Sequence, residues 1–274
     1  MNHLSRPLIG LGLVLLAACH PVAQTTTAPH TTEVVLGAPA RLAQQNVDAT
    51  IYQNMSAEAH RLYQQGYELA AIRLDANLAR PHKLPPAVIV DIDETILDNS
   101  PYQVTNAANG LTYSPKSWKE WTAKAEAKAL PGAVEFLNNA VRKGCAVFYI
   151  TNREIDETAA TIKNLVAEGF PMADSAHVML MHGTSDKTVR RAEVAKTHSI
   201  ALLVGDQLTD FDQSYKDRSV GEGKPHVDAN RDSLQRYFIM LPNPMYGVWL
   251  DAVSGRPLEE KPDSKERILK KNAY

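Results

Sequence analysis

The sequence predicts an α/β fold, a central parallel sheet flanked by helices and carrying a small helical cap. Four short apolar runs, at residues 87–90, 146–150, 177–181 and 200–204, alternate with stretches of helical periodicity. Continuous apolar runs mark strands covered on both faces, which is the condition of a parallel sheet. Just after the first run, residues 99–130 break the alternation, which places an insert above one end of the sheet.

The chain opens with a leader. Met1 to Arg6 forms a short basic n-region, and Pro7 to Leu16 is apolar but too short to span a bilayer. Leu16-Ala17-Ala18-Cys19 then resembles a bacterial lipobox. This predicts a lipoprotein signal peptide over residues 1–19 with lipidation at Cys19; an ordinary secretory signal with a coincidental Cys is the rival reading. More than one acyl chain gives stable membrane attachment. His20 stands where an Asp would indicate inner-membrane retention, so the expected location is the outer membrane of a bacterial envelope. Residues 20–45 begin with a Thr-, Ala- and Pro-rich run that reads as a tether, and 46–274 as the folded domain.

Helical periodicity begins near Ser56 and runs to Leu78, with Leu62, Leu69, Ile72 and Ala76 near one face and Glu58 in the first turn. Pro81 and Pro85-Pro86 end it. In the insert, Ser114-Pro115 has the pattern of an N-cap and first helical residue, followed by Trp118, Trp121 and Ala125 on one face. Later helices are expected at 132–143, 155–168 and 187–198, the first two closed by Gly144 and Gly169. Cys145, in "GCAVFYIT", reads as an inert core thiol, and a disulfide to Cys19 is implausible if Cys19 is acylated.

In parallel sheets ligands sit at the carboxyl ends of the strands, and all four runs end in polar residues. The first drives straight into "DIDETILDN", with Asp91 and Asp93 two apart and so on the same side. Thr151, Lys187, Asp206 and Asp210 come from the other strand ends or the helices behind them. These residue types suit phosphoryl transfer through an aspartyl-phosphate. A carboxylate nucleophile is repelled by an anionic ester, so a divalent cation is required, and Mg²⁺ prefers a few hard oxygens plus water. Asp91 and Asp206 offer carboxylates and Asp93 its main-chain carbonyl; Asp210 either holds water on the metal or orients Lys187. Thr151 and Lys187 are placed to bind phosphoryl oxygens, with Arg190 and Arg191 as rivals to Lys187. Asp91 would attack phosphorus, and Asp93 would protonate the leaving alkoxide and then deprotonate water. Glu94 and Asp98 read as local turn partners.

The order Asp91-x-Asp93-x-Thr95, Thr151-Asn152-Arg153, Lys187 and Gly205-Asp206-x-x-x-Asp210 resembles the haloacid dehalogenase superfamily. "VIVDIDETILDNSPY" with "ITNR" and "GDQLTDF" is similar to the class C acid phosphatases, bacterial lipoproteins that dephosphorylate nucleoside monophosphates and other esters. The resemblance covers about residues 55–255. It implies a Rossmann-like core with a helical cap, Mg²⁺, an acidic pH optimum, and the roles named above. Some relatives form dimers, so a homodimer is among the expected partners. Gln207 departs from the usual Asn or Thr, and Ile96 from Val or Met, neither at a position expected to touch the metal. In nucleotide-hydrolysing relatives aromatic side chains clamp the base; here Trp118, Trp121 and Tyr246 are candidates, with packing within the cap as the rival role for the tryptophans.

The net charge of -2 and the lack of a basic stripe argue against a nucleic-acid polymer as partner. Neither a His-Glu-x-x-His pattern nor a Gly-x-x-x-x-Gly-Lys loop occurs, which disfavours a zinc hydrolase and excludes a P-loop NTPase. Two other functions remain open: a surface binder of a ligand such as haem, and a phosphotransferase that passes the phosphoryl group to an alcohol.

Overall fold

The structure, a computed structural model, describes residues 37–250 together with 269, 270 and 273. The leader, Cys19 and the tether as far as residue 36 lie outside the described residues. Three helices come first: α1 (Ala38–Gln44), α2 (Val47–Met55) and α3 (Ala57–Leu78). The helix α1 falls on residues that composition assigned to the tether, so folded structure starts before residue 46. After β1 (Pro86–Val90) and β2 (Leu97–Asp98) come α4 (Ser100–Ala108), α5 (Pro115–Thr122), β3 (Lys128–Ala129) and α6 (Ala133–Arg142). The chain continues through β4 (Ala146–Glu154), α7 (Thr158–Ala167), β5 (Val178–Met181), α8 (Thr188–Thr197) and β6 (Ser199–Gly205). It closes with α9 (Leu208–Phe211), α10 (Lys224–Ala229), α11 (Arg231–Tyr237) and β7 (Phe238–Met240).

Five strands form one parallel sheet in the order β5-β4-β1-β6-β7. The four expected strands are present, and β7 is a fifth that three residues of edge strand did not announce. Alternation sends Val88 and Val90 of β1 to one face, with Val147, Tyr149, Leu202 and Val204, beneath α3 and α6. Ala87 and Ile89 go to the other face, with Phe148, Ile150, Leu203 and Phe238. Each valine, leucine, isoleucine or phenylalanine among them, removed from water, contributes about 1.5–3 kcal/mol. Val90 is level with Tyr149 and with Val204, so the residues after these three central strands emerge together at one edge.

The helix α3 buries a different face from the one its aliphatic residues suggested. Leu62, Leu69, Ile72 and Ala76 are exposed, whereas Ala59, Tyr63, Tyr67, Ala70, Leu74 and Asn77 face the core. The polar tips on that face are all paired. Tyr63 Oη donates to Pro242 O at 2.7 Å, Tyr67 Oη to Thr95 O at 2.6 Å, and Asn77 Nδ2 to Ala201 O at 2.8 Å. A tyrosine so bonded is a core residue with a polar handle.

The insert hangs from a two-residue antiparallel ribbon, with Leu97 opposite Ala129 and Asp98 opposite Lys128. Ser114 caps α5 as expected, accepting from Ser117 N at 3.1 Å, with Pro115 at the first position. The helix stops at Thr122, so Ala125 lies past its end with a left-handed φ of 55°. The cap is larger than the insert alone, because α1 and α2 pack on α4. Asn54 Nδ2 donates to Ser100 Oγ at 2.8 Å across that junction.

Candidate active site

Asp91 is the first residue past β1, and its N–H still bonds Val204 O at 3.0 Å, which fixes it at the sheet edge. The chain then turns tightly. Ile92 O receives the N–H groups of Ile96 and Leu97 at 2.9 and 3.0 Å, and Glu94 takes a left-handed φ of 56°. Glu94 Oε1 accepts from Asn99 N at 2.9 Å and Asp98 Oδ1 from Ser100 N at 2.8 Å, so both serve as local turn partners.

Asp91, Asp206 and Asp210 are all buried and each offers an oxygen within 4.8 Å of the others. Lys187, just before α8, is buried among them; Nζ pairs with Asp91 Oδ1, and with Asp210 Oδ1 at 2.7 Å. The second Asp210 oxygen accepts from Gln207 N at 3.0 Å, so of the two roles open to Asp210 this geometry favours orienting Lys187. Asp206 Oδ2 accepts from Gln207 Nε2 and Asn243 Nδ2, both at 2.8 Å. Gly205 has to be glycine here, since a Cβ would stand 2.5 Å from Asp210 Oδ2.

Three carboxyl groups face one ammonium in a buried space, so full ionisation would leave two uncompensated negative charges. Burial above all, with Asp210 and Asp206 beside it, raises the Asp91 carboxyl well above its usual range despite Lys187. Burial and then Asp210 push Asp206 up to about 7. Burial works against the Lys187 ammonium, but Asp210 and Asp91 outweigh it and hold its pKa above the ordinary value. An all-oxygen donor set with surplus negative charge fits a hard divalent cation.

The Asp93 carboxylate stands outside that group, although sequence spacing put it on the same side as Asp91. Arg153 draws it away, with Nη2 to Oδ1 at 2.7 Å and Nε to Oδ1 at 3.0 Å, and Asn99 Nδ2 adds a bond to Oδ1 at 2.8 Å. The two aspartates therefore sit on separate mounts, one among carboxylates and an ammonium, the other against a guanidinium. Burial works against the Arg153 guanidinium, but Asp93 outweighs it and holds its pKa above the ordinary value. Sequence reading gave Arg153 no role. Its place in "ITNR" beside Thr151 and the need of a half-buried carboxylate for a cation were the available signals. Asn99, Gln207 and Asn243 were likewise not assigned.

Thr151 is fully buried and does not line the cavity. Its hydroxyl accepts from Arg153 N at 3.1 Å and lies 3.5 Å from Asp93 Oδ2, so it braces the Asp93 mount. The rivals to Lys187 are otherwise engaged. Arg190 donates to Thr151 O and to Asn152 Oδ1, and Arg191 to Asp210 O at 3.0 Å.

Above the carboxylates opens a cavity of about 550 Å³, lined by Trp118 and Tyr246 among others. Trp118 stands edge-on to Tyr102, ring centroids 5.3 Å apart, and its ring lies 5.9 Å from the Arg153 guanidinium. Trp121 does not reach the cavity; it packs against the core and its Nε1 donates to Asn99 Oδ1 at 2.8 Å. No helix of the described residues is long and apolar enough to cross a membrane.

Comparison with known proteins shows that the fold is shared. A solved structure of the class C acid phosphatase from Bacillus anthracis superposes with a TM-score of 0.79 at 37% identity, covering 85% of this chain and 98% of that one. A second structure of that protein, with tungstate bound, matches at 36% identity and the same TM-score. Among curated proteins, a stem 31 kDa glycoprotein of Glycine max is 26% identical over 166 residues, 58% of this chain and 59% of that protein. Acid phosphatase 1 of Solanum lycopersicum is 26% identical over 161 residues, 58% of each chain. The chain thus spans about three-fifths of the length of these curated relatives. A family model described as HAD superfamily, subfamily IIIB (acid phosphatase) matches residues 16–249, and the chain belongs to that family of the haloacid dehalogenase superfamily.

Proposed function

We propose that this chain is a Mg²⁺-dependent acid phosphatase that hydrolyses phosphomonoesters, nucleoside 5′-monophosphates among them, through an aspartyl-phosphate on Asp91. The observation that carries this reading is the cluster of Asp91, Asp206, Asp210 and Lys187 at the floor of a cavity, with Asp93 held apart from it. Asp91 and Asp206 would hold Mg²⁺ together with the Asp93 carbonyl; when bound, the ion offsets the repulsion between carboxylate and ester.

Asp91 Oδ attacks phosphorus, the P–O ester bond breaks, and Asp93 delivers a proton to the leaving alkoxide. Asp93 then takes a proton from water, whose oxygen attacks phosphorus and frees the Asp91 carboxylate. Lys187 sits against Asp91, where it can follow the phosphoryl oxygens as charge builds. The separate mounts give the two aspartates separate partners: Asp91 faces Lys187 and the metal position, while Asp93 is held by Arg153 on the side from which the leaving group and water would approach. Tungstate, an oxyanion, bound to the Bacillus anthracis relative is in keeping with a phosphoryl site. Transfer to an alcohol would use the same intermediate. The haem reading gains no support, since no described histidine or cysteine lines the cavity. Lipidation at Cys19 would hold the enzyme at the outer membrane.

Phosphate release from an aryl phosphate tests the reading. It should stop with EDTA, return with Mg²⁺, and be lost in Asp91→Asn. Hydrolysis that continues after chelation overturns it. Palmitate labelling of the wild type but not of Cys19→Ser checks the anchor.

A further inference from the structure

Asn99 stands at the N-cap of α4, where an asparagine side chain ordinarily accepts from the free N–H groups of the helix. This one makes no such cap, and Asp98 Oδ1 accepts from Ser100 N instead. The Asn99 side chain is fully buried and engaged elsewhere. Its Nδ2 donates to Asp93 Oδ1 and its Oδ1 accepts from Trp121 Nε1, both at 2.8 Å, while Glu94 Oε1 holds its main-chain N–H at 2.9 Å. An indole nitrogen can only donate, so Trp121 settles which end of the amide faces Asp93.

The consequence falls on the two oxygens of Asp93. Oδ1 accepts from Arg153 Nη2 at 2.7 Å, from Arg153 Nε at 3.0 Å and from Asn99. A carboxylate oxygen has two lone pairs, and three donors fill it. Oδ2 meets only Arg153 Nε at 3.2 Å and the Thr151 hydroxyl at 3.5 Å. With the amide reversed, the Asn99 carbonyl would face Asp93 and compete for its proton.

We infer that Asn99 and Trp121 are positioning residues for proton transfer: the indole N–H of α5 holds the Asn99 amide, and that amide, with Arg153, occupies Asp93 Oδ1 so that Oδ2 is the oxygen that trades protons. As the ester P–O bond breaks, the proton on Oδ2 passes to the leaving alkoxide oxygen; in the second step Oδ2 takes one from the attacking water. The inference rests on the phosphatase reading, with Asp93 as its acid and base.

The test compares benzyl phosphate, which leaves as an alkoxide and needs a proton, with 2,4-dinitrophenyl phosphate, whose phenolate is stable without one. The constant kcat/KM covers the chemistry only through the first bond cleavage, so it reports proton delivery apart from the later water step. Asn99→Leu should lower kcat/KM for the benzyl ester about tenfold more than for the dinitrophenyl ester, and Trp121→Phe about threefold more. In an Asp93→Asn background neither change should shift the ratio of the two esters further, because both act through Asp93. A merely structural role would lower both esters alike. Should Asn99→Leu fail to fold, Trp121→Phe, which keeps a packed ring and removes the indole N–H, decides alone. Equal losses on the two esters, or the same ratio shift with and without Asp93, overturn the relay and leave the phosphatase reading standing. An Asp93→Asn protein whose ratio matches wild type removes Asp93 as acid, and the relay with it. A wild type that cleaves neither ester ends both readings.

Discussion

Replacing Asp93 by Asn removes one charge and almost no volume, and its effects should divide into two measurable parts. Chemically, the proposed general acid and base is lost, which lowers turnover about 10²–10⁴-fold. Structurally, the Arg153 guanidinium, with 1% of its side chain exposed, loses its carboxylate partner. Breaking a buried pair from one side costs about 3–5 kcal/mol. The Asp93 side chain is 18% exposed, so some water reaches the pair and the lower value of about 3 kcal/mol applies. For a domain of this size each kcal/mol moves Tm by about 2–4 °C, giving a fall of about 6–12 °C. The assays are thermal unfolding by circular dichroism and phosphate release from an aryl phosphate. The double change Asp93→Asn with Arg153→Met should recover most of the stability and none of the activity, since it removes the stranded charge but restores no acid. An Asp93→Asn protein that melts within about 1 °C of wild type, or a double variant that melts lower than either single one, would refute the view of Arg153 as the mount for Asp93.

Lys187→Met should cost the metal-free protein about 3–5 kcal/mol in urea unfolding, because Asp91 and Asp210 lose their ammonium, and Mg²⁺ should recover part of it. Metal-free protein should lose stability as pH rises from about 4 toward about 7. In that window the folded chain keeps protons on the raised carboxyls of Asp91 and Asp206 that the unfolded chain has released, so the slope of stability against pH is negative. Asp206→Asn should flatten that slope, and an identical slope would contradict the assignment. Tyr67→Phe should cost about 1–2 kcal/mol by leaving Thr95 O unpaired, while Leu69→Ala on the outer face should stay within about 0.5 kcal/mol; denaturant midpoints separate the two.

The central strands β1, β4 and β6 were legible because a strand buried on both faces has to be apolar throughout, and the ends of β1 and β6 put Asp91 and Asp206 at one edge of the sheet. Lys187 was legible from its motif, and the structure sets it between Asp91 and Asp210 while Arg190 and Arg191 are engaged elsewhere. What escaped reading involved side chains that are apolar and polar at once. Tyr63, Tyr67 and Asn77 line the inner face of α3 because each polar tip finds a backbone carbonyl, a fact that no count of aliphatic residues contains. Arg153 escaped for a related reason, since a charge is buried only when its partner is there, and the partner lies 60 positions earlier in the chain. The helices α1 and α2 were obscured by the low-complexity run that precedes them, and with them the second wall of the cavity.

That wall has a practical consequence for anyone shortening the gene. A version trimmed to start at residue 46, where composition would place the end of the linker, discards α1, although Ala43 borders the cavity and α1 packs on α4. Such a product could look well folded, keep every acidic residue of the floor, and still misreport which esters the native enzyme prefers. Cutting ahead of Ala38 avoids this.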